Sequence, residues 1–584
     1  MAFADFNPAT DYYAGTFVWE RDKLWQFTAD HSAGRWTGHD AQVVSKKTLI
    51  NMLGLNTEQL AEVMAELSEH GEEFKRYGVS GIGQSASALT RIYDSVGMTA
   101  AVGTDTEGAV NDFDAAAPFM HRKCVGNWVL EGGRAKFNVQ AYYGDSNFAE
   151  DGSMGDYVAV ELPLSYYSLS GGGLAISAYK YPGYRPFDIF CRNHDTSDLI
   201  DKLYVPAYAL ALDSNGKAVS LPGYYNEQGA YDVLFKDARK YANAEVADMA
   251  MIMPAALEFY YWALAVVEFA KQDVQLIMRG AADMRSDANT RCKFIDSTHI
   301  LVTDWAQAGQ TSITAWDAAW RVEGDYVAIL PESTSDINTS TYKATHKILS
   351  VTRCDATGTA DASGQYSLIE LEATGNTTPA YDYTGETDYK LAGRPHPTGE
   401  ANSVLTPSGS PVSNSDGHHV MRYRYRENVW GNQYHTSVDL FATRVGTDDS
   451  DYTLEWYYLP DPTEIETPSN PNTAALAADP YEKLGLVTDH ANYHSGYIIS
   501  RKYDEKYPDI WIPGVTTGSA TTYYADYAYL VASAAVRSVR FGGNWNNGGN
   551  DGFYFNANNA PSNSNANFGA DLYLSNIVRP CRSR

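Results

Sequence analysis

The pattern of hydrophobic and polar positions first indicates where helices occur. Between residues 45 and 78, apolar residues recur at helical spacing from Leu60 to Leu67, which predicts a short coiled coil or a helix of a small domain. Residues 231–246 predict a second helix. The almost continuously apolar run from Met249 to Ala270 predicts a buried helix over about 254–272.

Short alternating runs from Tyr77 onwards are typical of β-strands separated by glycine-rich turns. The stretch ALALDSNGKAVSL, residues 209–221, has two alternating arms around a Ser-Asn-Gly turn and predicts a hairpin. Four β-type runs between 296 and 375 predict a small barrel or sandwich inserted as a separate module. A stretch rich in Pro, Gly, Thr and Ser, from Thr377 to Asp416, predicts a long ordered loop or linker.

These elements together predict an α+β protein with four regions. Residues 1–77 form a helical or irregular region for attachment or oligomerisation. The all-β module at 296–375 separates a first part, residues 78–295, from a second part, residues 376–584, and a family resemblance carried by the motifs given below implies that the two parts form one domain. The second part contains an unusual segment at 540–573.

Charge then excludes several partners. The 584 residues carry 44 Lys and Arg against 72 Asp and Glu, a net charge of −28, and no basic run is present. Such a field repels nucleic acid and anionic membrane surfaces.

The apolar run at 249–270 contains Pro254, Glu258 and Glu268, and charged groups at bilayer depth are costly, so we expect a buried helix and no membrane insertion. The N-terminus lacks the basic and apolar regions of a secretory signal, which favours folding in a cytoplasm without export by that route.

Motifs for catalysis or metal binding are absent from the sequence. It contains no phosphate-binding loop, no H-E-x-x-H and no G-x-S-x-G. The pair His418-His419 and the acidic run at 448–451 are weak metal candidates and are better explained as loop residues. We therefore expect no metal, no cofactor and no enzymatic activity.

Cysteine usage supports the same expectation. The five cysteines are odd in number and form no C-x-x-C, which favours reduced, mostly buried thiols over a disulfide framework or a zinc site. They are Cys124, Cys191, Cys292, Cys354 and Cys581.

The segment near the C-terminus combines asparagine with aromatic residues. Ten of the 24 positions from Asn544 to Asn567 are asparagine. Asparagine-rich tails are usually disordered. Here, however, aromatic residues recur between the asparagines, and we predict that they fill the core beneath ordered loops. These aromatic residues are Trp545, Phe553, Phe555 and Phe568.

Four stretches in order resemble one known family. They are the run at 237–264, QLIMRG at 275–280, RYRENVWGNQY at 424–434, and VRSVRFGGNWNNGGNDGFYF at 536–555 with a closing FGAD. In this order they resemble the C-type-lectin-like domain shared by formylglycine-generating enzymes and by the variable proteins of diversity-generating retroelements. The resemblance implies such a domain over about 78–584, interrupted by the module. Phe541 and the FGAD ending depart from the family pattern.

The two branches of that family imply different functions. The enzyme branch uses a pair of cysteines shortly after the glycine motif, but no cysteine lies between Arg540 and Pro580, and Cys581 stands alone. In the variable-protein branch, template adenines are miscopied, and Asn codons beginning with AA are favoured targets. Asp551 and Tyr554 are one adenine change from Asn codons. The resemblance therefore implies a diversified binding segment.

The resemblance also divides the residues of this segment by role. Five residues are expected to hold its structure: Gly542, Gly543, Trp545, Phe568 and Gly569. Eleven positions are expected to point outward, to vary and to bind ligand: Asn544, Asn546, Asn547, Asn550, Asp551, Tyr554, Asn556, Asn558, Asn563, Asn565 and Asn567.

The function implied is recognition of a host cell by a phage tail tip or fibre. The expected ligand is a protein or glycan on a bacterial surface, and the N-terminal region would contact other tail proteins. A homotrimer, assembled in the host cytoplasm and carried on the virion, is expected by analogy. Two alternatives remain: a bacterial surface adhesin of the same fold, and a formylglycine-generating-type oxidase.

Overall fold

The computed structural model describes most of the chain from residue 75 to residue 574. Within this range it leaves out residues 87, 285–290, 303–320, 332, 335–345, 365, 373–388, 449–450, 490–494 and 531–535. Earlier in the chain it describes four short strands that form one sheet: Ala4–Asp5, Phe17–Glu20, Lys23–Phe27 and Ala41–Val43. The region predicted to be helical or irregular thus contains a small sheet. Residues 45–74 of the predicted helical stretch, and Cys581, lie outside the described residues.

The α+β prediction is wrong, because the chain is mostly β-sheet. Among the residues that the structure describes, strands account for 38% and helices for 13%. The described part has three α-helices: Tyr231–Ala238, Ala255–Phe269 and Thr473–Leu476. The architecture is therefore closer to an all-β protein, and it does not confirm the C-type-lectin-like fold that the resemblance implies.

The helix Ala255–Phe269, called here the central helix, confirms the prediction from the apolar run. All fifteen residues are buried. Asp439 accepts a hydrogen bond from the backbone N–H of Ala255 at 3.0 Å, which places a carboxylate at the positive end of the helix dipole. Ala270 ends the helix in a left-handed conformation. In the described part of the chain, no helix has the length and apolar character needed to cross a membrane.

The predicted helix at 231–246 ends early, at Ala238. Tyr241 then enters the core with 2% of its surface exposed. Its hydroxyl donates to Asp156 Oδ1 at 2.6 Å and accepts from the backbone N–H of Trp128 at 3.0 Å. These tertiary contacts outweigh the local helical preference.

Two antiparallel sheets occupy the N-terminal half of the body. The central helix packs against strands Tyr77–Ser80 and Gly173–Ser177 of the first sheet and against Tyr434–Asp448. The first sheet has the order Arg185–Pro186, Tyr166–Ser170, Gly173–Ser177, Tyr77–Ser80 and Thr90–Tyr93. The second has the order Lys202–Pro206, Tyr157–Pro163, Arg122–Glu131 and Arg134–Tyr142.

A sheet of eight strands forms the C-terminal half and carries the asparagine-rich segment. Its order is Glu482–Asp489, Asp451–Tyr458, Tyr434–Asp448, Arg537–Phe541, Phe555–Ala557, Tyr527–Leu530 and Gly496–Tyr497, with Phe568–Gly569 paired in parallel to Tyr434–Asp448. Two strands of the segment therefore belong to the sheet and are not a tail.

The inserted module is a closed barrel of six strands. Their order is Arg291–Phe294, His299–Val302, Tyr366–Leu371, His346–Cys354, Tyr326–Pro331 and Tyr389–Arg394. The barrel thus spans 291–394, beyond the 296–375 drawn from the sequence. Its first and last strands pair with each other, Cys292 opposite Tyr389. It has a separate core that includes Ile300, Ile329 and Leu391.

Four further strand pairs complete the described fold. The predicted hairpin is confirmed, since Ala211–Leu212 pairs with Ala218–Val219 and Gly216 adopts a φ of 71° in the turn. The other pairs are Ala250–Met251 with Tyr573–Leu574, Arg422–Tyr423 with Arg426–Glu427, and Ser500–Tyr503 with Trp511–Val515.

Candidate ligand-binding surface

The stretches that carry the family resemblance meet in the core beneath the asparagine-rich segment. Glu268 of the central helix accepts hydrogen bonds from Arg424 Nε at 2.8 Å, from the Tyr423 hydroxyl at 2.6 Å and from Asn111 Nδ2 at 2.6 Å. Glu268 and Arg424 are both buried, so their charges compensate each other out of water. This network joins the helix to the RYRENVWGNQY stretch.

A second buried network fixes the FGAD ending. Asp571 accepts from Arg426 Nη2 and lies 2.8 Å from His435 Nδ1. Although burial favours the neutral carboxyl, His435 and Arg426 together hold the pKa of Asp571 at about 2. Asp571 of the FGAD ending thus ties this segment to two strands, Arg426–Glu427 and Tyr434–Asp448.

Trp430 connects two more of the stretches. Its indole N–H donates to the backbone oxygen of Met278 at 2.8 Å, within QLIMRG. Its ring lies 5.2 Å from the ring of Phe553, in the asparagine-rich segment. The base of the segment is therefore tied directly to the hydrophobic core.

Gly542 and Gly543 turn the chain from the sheet into the first loop. Their φ angles are 82° and 68°, in the region that favours glycine. A Cβ at Gly542 would lie 2.8 Å from His435 Cδ2, and one at Gly543 would lie 1.5 Å from Asp551 Oδ1. The prediction that both glycines permit unusual φ and close approach is confirmed.

The first loop, from Asn544 to Asn550, is built from side-chain bonds to its own backbone. Asn547 Oδ1 accepts from the backbone N–H of Asn544 at 2.7 Å, and Asn544 Oδ1 accepts from that of Asn546 at 2.9 Å. The indole of Trp545 is buried, and its backbone N–H donates to the oxygen of Asn432 at 3.1 Å. Asn550 accepts from the hydroxyl of Tyr497.

The second loop, from Asn556 to Asn567, uses the same chemistry. Asn556 Oδ1 accepts from the backbone N–H of Asn558 at 2.9 Å, and Asn559 Oδ1 accepts from Asn563 Nδ2 at 2.9 Å. The oxygen of Asn567 accepts from the backbone N–H of Tyr434 at 3.0 Å. Asparagine is well suited to such turns because its short side chain mimics a backbone group.

The predicted structural residues lie in the core. Trp545, Phe553, Phe555 and Phe568 each have at most 1% of their surface exposed. Gly569 is buried, and a Cβ there would lie 2.3 Å from Gln433 Oε1. The prediction that aromatic residues support the loops from below is confirmed.

Burial contradicts the expectation that all eleven variable positions point outward. Four of them are buried: Asn544, Asp551, Tyr554 and Asn556. Asn544 and Asn556 are buried because they complete turns, and Tyr554 because it packs between the rings of Tyr434 and Tyr527. The other seven are exposed or half-buried: Asn546, Asn547, Asn550, Asn558, Asn563, Asn565 and Asn567.

A row of tyrosines next to the loops was missed by the sequence reasoning. Tyr527 and Tyr529 alternate with buried residues on strand Tyr527–Leu530, so both side chains lie on its outer face. Tyr497 contacts Tyr527 edge-to-face at 5.1 Å. In the sequence YAYL, residues 527–530, tyrosine alternates with alanine and leucine, and this alternation could have indicated the row of tyrosines. We call these three tyrosines and the seven accessible asparagines the candidate surface.

Arg540 lies directly beneath this surface. It is fully buried, and its guanidinium carbon lies 3.7 Å from the centre of the Phe568 ring. Burial lowers the pKa of Arg540 to about 9. Contact with the aromatic face compensates part of the cost of burying this charge.

The thiols in the part of the chain that the structure describes are not placed to react. Cys124, Cys191, Cys292 and Cys354 are free and buried there. Burial raises the pKa of Cys191 to about 12 and raises that of Cys124 further, which disfavours the thiolate. Within the same residues, no group of three or more metal-ligating side chains is arranged to hold an ion.

The chain matches no protein-family model, and no curated protein matches it.

Proposed function

We propose that the chain is a receptor-binding protein that displays a diversified surface, of the kind that retroelement variable proteins carry. The observation that carries the proposal is the construction of the segment at 542–573. Its aromatic residues and four of its glycines (Gly542, Gly543, Gly552 and Gly569) are buried, whereas seven of its asparagines and the three tyrosines beside it remain accessible. Such a scaffold tolerates changes at outward positions, much as antibody paratopes do.

The chemistry of the candidate surface suits contact with a protein or a glycan. Tyrosine supplies large contact area with few rotatable bonds, and asparagine supplies adaptable donors and acceptors. The net charge of −28 disfavours nucleic acid. We place the protein at a phage tail tip or fibre as a homotrimer, since repeated copies convert weak contacts into strong adhesion.

The two alternatives receive less support. A formylglycine-generating-type oxidase needs a reactive pair of cysteines, whereas burial raises the pKa of the thiols of Cys124 and Cys191. A bacterial surface adhesin would use the same surface, and the genomic context distinguishes it from a phage protein. A repeat in the neighbouring DNA that differs from codons 544–567 only at adenines, beside a reverse transcriptase gene, supports the retroelement origin.

Binding is tested with the full chain, labelled with a fluorophore, on cells of its host bacterium. The triple variant Asn546→Ala, Tyr529→Ala, Asn563→Ala removes three accessible side chains without touching the core. We expect it to lose binding by flow cytometry while its circular dichroism and thermal midpoint stay unchanged. The matched control is Asn147→Ala, an exposed asparagine in the turn after strand Arg134–Tyr142. Undiminished cell binding by the triple variant contradicts the proposal.

A further inference from the structure

Lys123 is a buried lysine with three polar partners. It lies on strand Arg122–Glu131 and has 4% of its surface exposed. Its Nζ lies 2.6 Å from Glu150 Oε1, 3.0 Å from Asn402 Oδ1 and 2.7 Å from the hydroxyl of Tyr208. Burial lowers the pKa of Lys123, and the carboxylate of Glu150 offsets part of that effect. Burial thus favours the neutral amine, which is the form that acts as a nucleophile.

The carboxamide of Asn402 faces this amine. Asn402 belongs to the 3₁₀ helix Glu400–Ser403, and it is 279 positions from Lys123 in the chain. Because a C=O bond is about 1.23 Å long, the contact of 3.0 Å between Nζ and Oδ1 places Cγ of Asn402 within about 4.2 Å of the amine. A shift of less than about 1 Å therefore brings the two atoms to the separation of about 3–3.5 Å from which attack occurs.

Glu150 bridges the amine and the carboxamide. Its Oε1 lies 2.6 Å from Lys123 Nζ, and its Oε2 accepts a hydrogen bond from Asn402 Nδ2 at 3.1 Å. A general base acts over about 2.6–3.2 Å, and both contacts fall within that range. One carboxylate can therefore take a proton from the amine and deliver it to the nitrogen of the carboxamide.

The hydroxyl of Tyr208 contacts the oxygen of the same carboxamide. It donates to Asn402 Oδ1 at 2.6 Å, and Tyr208 is 1% exposed. Burial raises the pKa of this hydroxyl well above its ordinary value, so it keeps its proton and remains a donor. A donor fixed on a carbonyl oxygen stabilises the negative charge that develops there when a nucleophile attacks the carbon.

The backbone that carries Asn402 is held in place by Glu427. This buried carboxylate accepts from the backbone N–H of Gly399 at 2.9 Å and from that of Ala401 at 2.8 Å. The backbone N–H of Asn402 donates to the oxygen of Gly399 at 3.0 Å. Asn402 and Glu150 are only half-buried, so a small molecule released between them can reach solvent.

We propose that Lys123 and Asn402 join in an intramolecular isopeptide bond, with Glu150 as the catalytic carboxylate. Glu150 takes a proton from Lys123 Nζ, and the lone pair of Nζ attacks Cγ of Asn402 to form the new C–N bond. The bond between Cγ and Nδ2 then breaks. Nζ gives up two protons in all, and both leave on Nδ2 as an ammonium ion, so Glu150 ends ionised as it began. The reaction needs no oxidant, reductant or further reactant.

This bond joins the parts of the chain on either side of the barrel. Lys123 precedes the first barrel strand, Arg291–Phe294, and Asn402 follows the last, Tyr389–Arg394. A covalent link that closes so long a loop restricts the unfolded chain and so stabilises the folded one, as a disulfide does. The site is separate from the candidate surface and does not depend on its role.

Mass spectrometry of the denatured full chain tests the bond. We expect a mass lower by one ammonia than the sequence requires, and a tryptic digest with a branched peptide that joins residues 123–134 to residues 391–422. A succinimide at an Asn-Gly pair also loses ammonia, so the branched peptide decides. If the folded chain, after prolonged incubation, still yields residues 124–134 as a free peptide and no branched peptide, the proposal is overturned.

Two variants assign the roles. Glu150→Gln keeps the size of the side chain but cannot take the proton, and we expect the branched peptide to disappear while circular dichroism stays unchanged. Tyr208→Phe removes the donor to Asn402 Oδ1, and we expect the bond to form about a hundredfold more slowly, the effect of losing one such donor. The matched control is Glu131→Gln, in an exposed pair with Lys136, which leaves the bond intact. A branched peptide that persists in Glu150→Gln refutes the catalytic role of that carboxylate.

Discussion

Asp551 offers a sharp test of how the asparagine-rich segment is built. Its carboxylate is fully buried between Gly431 and Gly543, and neither oxygen accepts a well-formed hydrogen bond from the described residues. The backbone N–H of Gly431 is already used by Gly542. Burial raises the pKa of Asp551 well above its ordinary value, and the positive charge of Arg279 offsets only part of that effect.

Asp551→Asn keeps the shape of the side chain and removes the charge that burial disfavours. Leaving a buried polar group uncompensated costs about 1–3 kcal/mol, and more for a charged group. We therefore expect the variant to have a free energy of unfolding about 1–3 kcal/mol higher than the wild type at pH 8.

The gain depends on pH in a defined direction. In the unfolded chain Asp551 loses its proton near pH 3.9, about the ordinary aspartate value, whereas in the folded chain the raised pKa retains it. The wild type therefore loses stability as pH rises from about 4 towards the folded pKa. Asparagine does not titrate, so the difference between the two proteins vanishes below about pH 4.

The assay is urea unfolding followed by tryptophan fluorescence at several values of pH between 3 and 9. The matched control is Asp195→Asn, at an exposed turn where hydrogen bonds from the hydroxyl and the backbone N–H of Ser197 lower the pKa of the aspartate. Its effect has the opposite sign, a loss of stability at neutral pH that disappears in acid. The reasoning fails if Asp551→Asn is less stable than the wild type at pH 8, or if its effect does not vary with pH.

Three further substitutions test the glycine turn, the buried ion pair and the turns built by asparagine, the last with a matched control. Gly543→Ala places a Cβ 1.5 Å from Asp551 Oδ1 at a φ of 68°, and we expect a loss of at least about 2 kcal/mol by thermal unfolding. Glu268→Gln removes the buried counter-ion of Arg424 and leaves only the half-exposed Asp114 at 3.4 Å, and we expect a loss of about 3–5 kcal/mol in urea unfolding. Asn544→Ala removes a turn acceptor and costs about 1 kcal/mol, whereas Asn563→Ala stays within about 0.5 kcal/mol of the wild type.

Each of these predictions has a control variant or an outcome that would contradict it. For Gly543→Ala the control is Gly549→Ala, where a Cβ meets open space, and equal losses would argue against the close approach. For Glu268→Gln the control is the exposed Glu131→Gln, and a neutral outcome at Glu268 would show that the Arg424 pair contributes nothing. If Asn563→Ala is as destabilising as Asn544→Ala, the division between accessible and turn-building asparagines is wrong.

Local patterns were sufficient to predict some elements of the fold. The apolar run at 249–270 predicted the central helix, because its apolar residues follow one another without the alternation of a strand. All fifteen residues of the helix are buried. The Ser-Asn-Gly turn predicted its hairpin, because Gly216 supplies the positive φ that the turn requires. The balance of helix and strand was predicted wrongly, since contacts such as those of Tyr241 end a helix that local spacing would continue.

The sequence predicted the asparagines of the candidate surface, but neither its three tyrosines nor which of the asparagines are exposed. Aromatic residues within the segment were recognisable as core residues. Whether an asparagine is accessible depends on the partner of its side chain, which is the backbone N–H of Asn546 for Asn544 and the side chain of Asn559 for Asn563, and adjacent asparagines look alike in sequence. A cleft between the barrel and the body could not be predicted, because residues from 322 to 420 meet there only in the folded chain.

The pairing of the first and last barrel strands has an evolutionary consequence. Because Arg291–Phe294 and Tyr389–Arg394 are neighbours, the chain leaves the body and returns to it at adjacent points. A gene segment that encodes another small domain with neighbouring ends can replace the barrel without stretching or severing the body. Exchange of the barrel by recombination would then leave the loops at 544–567 untouched, because they lie elsewhere in the chain.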